Sequence, residues 1–201
     1  MIDRVLILGT GLLGSSTGLA LRAAGFQGTI TGWDKDPRQA ETARSLHAIH
    51  AVAQTAESAI AEAKVAQLIL LATPVYGILD WMEQLAPILG HDQLVTDVGS
   101  TKALITAAGN RLFYQPGRAA FLPGHPMAGK EVSGAAEADS ALFRGAVWIF
   151  TTDPWISKQK EGEIAPMAAE NGMEWMEWIR KFGSRSDTVR SHRGEWRRRA
   201  G

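Results

Sequence analysis

The glycines Gly9, Gly11 and Gly14 fall in "GTGLLG", directly after the apolar run "RVLIL" and directly before a segment of helical period. In that context each glycine has its own role. Gly9 permits a tight turn, Gly11 lets the backbone approach a pyrophosphate, and Gly14 lets the helix pack closely on the strand. The amides of Leu12 and Leu13 then face the anion from the positive end of the helix. Asp34 follows Gly14 by twenty residues, at the end of "TITGWD", where a carboxylate accepts both ribose hydroxyls of an adenosine. An acid there favours NAD over NADP, because it repels a 2′-phosphate unless a cation such as Lys35 or Arg38 compensates. The competing reading is a plain βαβ turn with a solvated carboxylate.

Three further motifs sit where strands end. "ATPV" puts Thr73 and Pro74 after "LILL", where a rigid turn lines the cofactor or simply starts a helix. "DVGSTK" puts Ser100 at a helix start, where its hydroxyl either caps amides or faces the site. Lys102 is one turn further on, a position where a lysine is usually solvated. "GHPMAG" ends the strand "AAFLP" with His125, which Pro126 holds in an extended conformation among small neighbours. A histidine so placed exchanges a proton with a substrate hydroxyl near neutral pH, or else satisfies a buried carbonyl. Of the other four histidines, His47, His50 and His91 read as surface residues and His192 lies in an unpatterned tail.

The elements that must hold these residues follow a βαβ rhythm. "RVLILG", "GTITGWD", "QLILLATP" and "QLVTDVG" read as buried parallel strands, separated by helical segments such as "VYGILDWMEQLAPIL" and "TKALITAAGNRLF". "AAFLPGHP" and "RGAVWIFT" are two more strand candidates. The expected fold is α/β: a doubly wound, mostly parallel sheet, a Rossmann-type dinucleotide-binding domain over residues 1–153. A helical extension is expected over 154–182, and a basic, disordered tail over 183–201.

Composition narrows the chemistry. The 201 residues contain no cysteine, which excludes a disulfide framework, a thiolate zinc site and a cysteine nucleophile, and no metal site is expected. Lysine plus arginine balances aspartate plus glutamate at 21 each, so no global field points to nucleic acid or a membrane. "MIDRVLILGTGLLG" does not read as a signal peptide, and no apolar run approaches the roughly 20 residues of a membrane span. A cytoplasmic enzyme acting on a small molecule fits.

Taken in order, "GTGLLGSS", "GWDKD", "ATPV", "DVGSTK" and "GHPMAGKEVSG" resemble the prephenate/arogenate dehydrogenase family over residues 1–152, the histidine motif being the most specific of the five. The resemblance implies oxidative decarboxylation of prephenate with NAD, giving 4-hydroxyphenylpyruvate, carbon dioxide and NADH in tyrosine biosynthesis. It implies that His125 accepts the proton of the ring 4-hydroxyl, that Ser100 lies near that histidine, and that Glu131 is an acid at the pocket entrance. Arogenate dehydrogenases share these motifs. A β-hydroxyacid dehydrogenase would carry a catalytic lysine in a long central helix that is not evident here, and a non-catalytic NAD-binding module stands as the reading outside enzymes.

The family continues into a helical domain that supports dimerisation and contributes an arginine for a substrate carboxylate. The stretch after residue 153 matches none of that domain's motifs, so the family's homodimer is not expected of this chain alone. Its loss of periodicity, with Trp175, Trp178 and Trp196 among many arginines, suggests a truncated or frameshifted member.

Overall fold

The computed structural model describes residues 2–150 of the chain. Six parallel strands form one sheet: β1 (Arg4–Leu8), β2 (Thr29–Trp33), β3 (Ala51–Val52), β4 (Leu68–Leu71), β5 (Leu94–Asp97) and β6 (Ala120–Leu122). Their spatial order is β3-β2-β1-β4-β5-β6, so the chain winds outward from β1 in both directions. That order is the doubly wound dinucleotide-binding topology, as the strand and helix rhythm implied.

The alternation along each strand explains the two layers. Leu6, Leu8, Ile69 and Leu71 point to one face, against α3 (Ala56–Ala63), α4 (Val75–Leu85) and α5 (Lys102–Leu112). Val5, Ile7, Leu68 and Leu70 point to the other, against α1 (Leu12–Ala23) and α2 (Pro37–Ser45). Strands buried on both faces are rich in apolar side chains, unbroken in β4 and interrupted by the buried Thr31 in β2 and by Thr96 and Asp97 in β5. In α4 the spacing Ile78, Trp81, Met82, Leu85 makes a single buried stripe.

Helix starts follow local chemistry. Asp36 caps α2 by accepting from the Arg38 amide at 3.0 Å, with Pro37 at the first helical position. Thr55 and Ser58 exchange side-chain and backbone bonds at 3.0 and 3.1 Å to cap α3.

Two expectations change. The two-residue strand β3, which is not among the strands expected from the sequence, extends the sheet beyond β2. More important for function, "AAFLPGHP" is not one strand. The parallel strand β6 stops at Leu122, and after Pro123 the chain enters β7 (Gly124–Pro126), which pairs antiparallel with β8 (Trp148–Phe150) in a separate ribbon. Pro123 has no amide to continue the ladder. His125 therefore belongs to the ribbon and does not terminate a strand of the main sheet. The segments predicted over 154–182 and 183–201 lie outside the described residues.

Candidate functional site

The carboxyl ends of β2, β1, β4 and β5 are neighbours in the sheet, and the candidate residues collect there. Gly9 has φ +99°, and a Cβ on it would lie 2.5 Å from the carbonyl carbon and oxygen of Ala72 and 2.7 Å from the Thr73 nitrogen. Both the turn and the approach of the "ATPV" backbone require glycine. A Cβ on Gly14 would lie 1.9 Å from the Gly9 carbonyl oxygen, so the helix seats directly on the loop.

Gly11 differs from both. It is the N-cap of α1 with an ordinary φ of −71° and no side-chain cap, and a Cβ on it would meet nothing within 4 Å. Nothing within the protein requires a glycine there. The space it leaves lies over the first turn of α1, whose amides, Leu12 and Leu13 among them, have no acceptor inside the helix. Open space of this kind, at the positive end of a helix, fits a pyrophosphate.

Asp34 ends β2 and reaches back to the loop. Its Oδ2 accepts from the Thr10 amide at 2.7 Å, and its Oδ1 accepts from the Asp36 amide at 3.0 Å. The carboxylate is thus held in place with lone pairs to spare for ribose hydroxyls. At the end of β4, Thr73 Oγ1 is buried without a hydrogen-bond partner, while Pro74 is exposed as the N-cap of α4.

On β5, Leu71 of β4 pairs in register with Asp97, a completely buried carboxylate. Asp97 Oδ1 accepts the Gly124 amide at 3.1 Å; its Oδ2 accepts the Gly99 amide at 2.8 Å and the Lys102 ammonium. Lys102 also donates to the Gly124 carbonyl. This lysine is not the solvated residue its position suggests: its side chain is only 16% exposed. Burial pushes the Asp97 carboxyl up from its ordinary range and the Lys102 ammonium down, in each case opposed by the attraction of the other.

His125 is half-buried on β7, directly across from Ile149. Its Nδ1 is buried without a hydrogen-bond partner, so that nitrogen does not satisfy a carbonyl among the described residues. Ser100 is exposed, and the N-cap of α5 is Thr101, without a side-chain cap bond. Glu131 is exposed in the loop after β7. That loop is tethered beyond Glu131, where the Ala135 amide donates to Gln39 Oε1 at 2.7 Å and the Asp139 amide to Ser16 Oγ at 3.0 Å.

The fold thus joins Gly9 to Thr73 and Asp34 to the loop, and ties the His125 ribbon to β5. It does not bring Glu131 into hydrogen bonding with the other candidates. Asp97 is the residue that sequence reasoning passed over, although an acid closing an otherwise apolar strand was a signal. His50 is exposed, as its reading as a surface residue has it, and its Nδ1 accepts from the Ile30 amide at 3.0 Å. Among the described residues no His, Cys, Asp and Glu cluster could hold a metal, and no helix is long and apolar enough to cross a membrane.

The family model for the nucleotide-binding domain of prephenate dehydrogenase matches residues 17–168. Its match begins after the glycine loop, so the loop is read from its own geometry. Prephenate dehydrogenase from Bacillus subtilis is 38% identical over 160 residues, which are 79% of this chain and 42% of that protein. The structure of prephenate dehydrogenase from A. aeolicus in complex with hydroxyphenyl propionate and NAD+ superimposes with a TM-score of 0.67 at 32% identity, over 77% of this chain and 52% of that one. Arogenate dehydrogenase from Synechocystis gives 0.65 at 28%, over 83% and 57%. The chain spans about half the length of these relatives. With that match extending over most of its length, and the order of its motifs unbroken, the chain belongs to the prephenate dehydrogenase family, in the part that forms the nucleotide-binding domain.

Proposed function

We propose that the chain binds NAD+ in the Gly9–Gly14 cradle and serves the oxidative decarboxylation of prephenate to 4-hydroxyphenylpyruvate, with His125 as proton acceptor. The observation that carries this is the half-buried imidazole of His125, on a ribbon fastened beside the strand ends that form the cradle. The solved relative holding NAD+ supports the choice of cofactor.

NAD+, when bound, supplies the hydride acceptor. Asp34 orients the adenosine end by accepting from its ribose, and the first-turn amides of α1 face the pyrophosphate. His125 accepts the proton of the ring 4-hydroxyl as hydride leaves the carbon that bears it. The bond from the ring to its carboxylate then breaks, its electrons aromatise the ring and carbon dioxide departs. The protein has to align the reactants and remove one proton. In this reading Ser100 lies beside the substrate hydroxyl and Glu131 at the pocket mouth.

Arogenate is the second reading, supported by the likeness to the Synechocystis enzyme. It shares the ring chemistry and differs in the side chain. A domain that binds NAD+ but lacks the groups holding the substrate carboxylates is the third. Supplying the purified chain with NAD+ and either prephenate or arogenate separates them by NADH absorbance. Calorimetric binding of NAD+ without turnover of either substrate leaves the third.

A further inference from the structure

The ribbon's register fixes which way Gly124 faces. The Met127 amide donates to the Val147 carbonyl at 2.8 Å, and residue pairs in an antiparallel ladder alternate between bonded and non-bonded. His125 with Ile149 is therefore a bonded pair, and Gly124 with Phe150 is not. The amide and carbonyl of Gly124 consequently point away from β8. Gly124 is buried, so both groups need partners. Asp97 and Lys102 supply them, one accepting from the amide and the other donating to the carbonyl.

A buried ion pair is a costly way to satisfy two backbone groups, because its mutual attraction rarely repays desolvation. What it adds is short, directional, charge-assisted bonding on both polar groups of the residue before His125. The imidazole needs its orientation from somewhere, and its buried Nδ1 has no hydrogen-bond partner to provide it. The backbone does so instead. On one side of His125 the pair grips Gly124; on the other Pro126 confines His125 to extended geometry.

We propose that Asp97 and Lys102 are positioning residues that set the aim of His125 by holding Gly124 on both sides. The inference rests on His125 being the proton acceptor. It also commits two of the three N–H donors of the Lys102 ammonium, one to Asp97 and one to the Gly124 carbonyl. Proton transfer requires hydrogen-bond reach, and a displacement of about 1 Å lowers turnover roughly 100-fold.

The test uses the full chain, isotopically labelled, with Asp97→Asn, Lys102→Met and the double variant. In the unmodified chain the Gly124 amide exchanges with deuterium at least about tenfold more slowly than that of the exposed Gly129. Equal rates would overturn the clamp without recourse to any variant. In Asp97→Asn, exchange at Gly124 quickens roughly 10- to 100-fold. In both single variants the His125 ring resonances move and kcat falls roughly 100-fold, while KM for NAD+ stays within about twofold.

If a single variant loses the fold, the double variant removes both charges together and is read by the same criteria. Ring resonances that stay in place in a folded variant overturn the proposal, as does a parallel decline of kcat and NAD+ affinity, which would mark a merely structural role. If the unmodified chain oxidises neither substrate, the proposed reaction fails. Exchange at Gly124 and the His125 resonances then still decide the clamp.

Discussion

Gly11→Ala separates cofactor binding from folding, because Gly11 is the cradle glycine that the protein itself does not need. Its φ of −71° suits alanine, and the new Cβ meets nothing within 4 Å. It loses no side-chain cap, so the folding cost is the weaker N-cap preference of alanine, under about 1 kcal/mol. That amounts to a fall in melting midpoint of roughly 2–4 °C. The same methyl group stands where a pyrophosphate would lie against the helix. Forcing a methyl into a filled site costs about 1–3 kcal/mol, so NAD+ should bind roughly 5- to 150-fold more weakly. Gly9→Ala behaves in the opposite sense. It combines a φ of +99° with a contact of 2.5 Å to the Ala72 carbonyl, and should lower stability by about 2–5 kcal/mol. Thermal melts and calorimetric titration of the two variants side by side give the answer. If Gly11→Ala binds NAD+ as tightly as the unmodified chain, the cradle is elsewhere. If it melts as low as Gly9→Ala, the glycine at position 11 is structural.

His125→Asn should cut turnover by about 10²- to 10⁴-fold while leaving NAD+ affinity within about twofold; an unchanged rate removes the proton acceptor. Asp34→Ala should weaken NAD+ by roughly 10- to 150-fold and narrow its advantage over NADP+, since Asp34 holds the Thr10 amide and, under the proposed function, accepts from the ribose; an unchanged ratio of the two affinities refutes the assignment. Lys102→Met should destabilise the fold at neutral pH by about 3–5 kcal/mol, leaving Asp97 buried without its cation. Burial already raises the Asp97 carboxyl, and loss of the ammonium raises it further. A carboxyl raised by folding contributes its stability below the ordinary carboxylate range near pH 4 and loses it as pH rises through the folded value. The deficit of Lys102→Met relative to the unmodified chain should therefore shrink between pH 7.5 and pH 5. Urea midpoints at the two values check this, and a deficit that grows on acidification contradicts it.

The sheet and the turn of its glycine loop were legible because the signals are local. A strand that is apolar at every position, a glycine at a positive φ and an acid at the next strand's end each declare themselves within a few residues. The clamp was not, because it joins residues that only the fold brings together: Asp97 on a strand end, Lys102 in a helix turn and Gly124 on a ribbon 27 residues beyond Asp97. Read alone, Lys102 resembles any lysine at a helix start, and only its burial against Asp97 and Gly124 in the fold decides otherwise. The split of "AAFLPGHP" was within reach, since a proline inside a strand pattern argues against a continuous ladder. That its second half pairs with residues 148–150 depends on a distant partner that no window reveals.

Under the proposed function, the stop at Pro123 puts nucleotide recognition and proton chemistry on separately built parts. The parallel sheet would carry the first and the two-stranded ribbon the second, and hydrogen bonds of Gly124 to Asp97 and Lys102 fasten one to the other. Altering the ribbon's length or register would re-aim the imidazole without redrawing the dinucleotide frame.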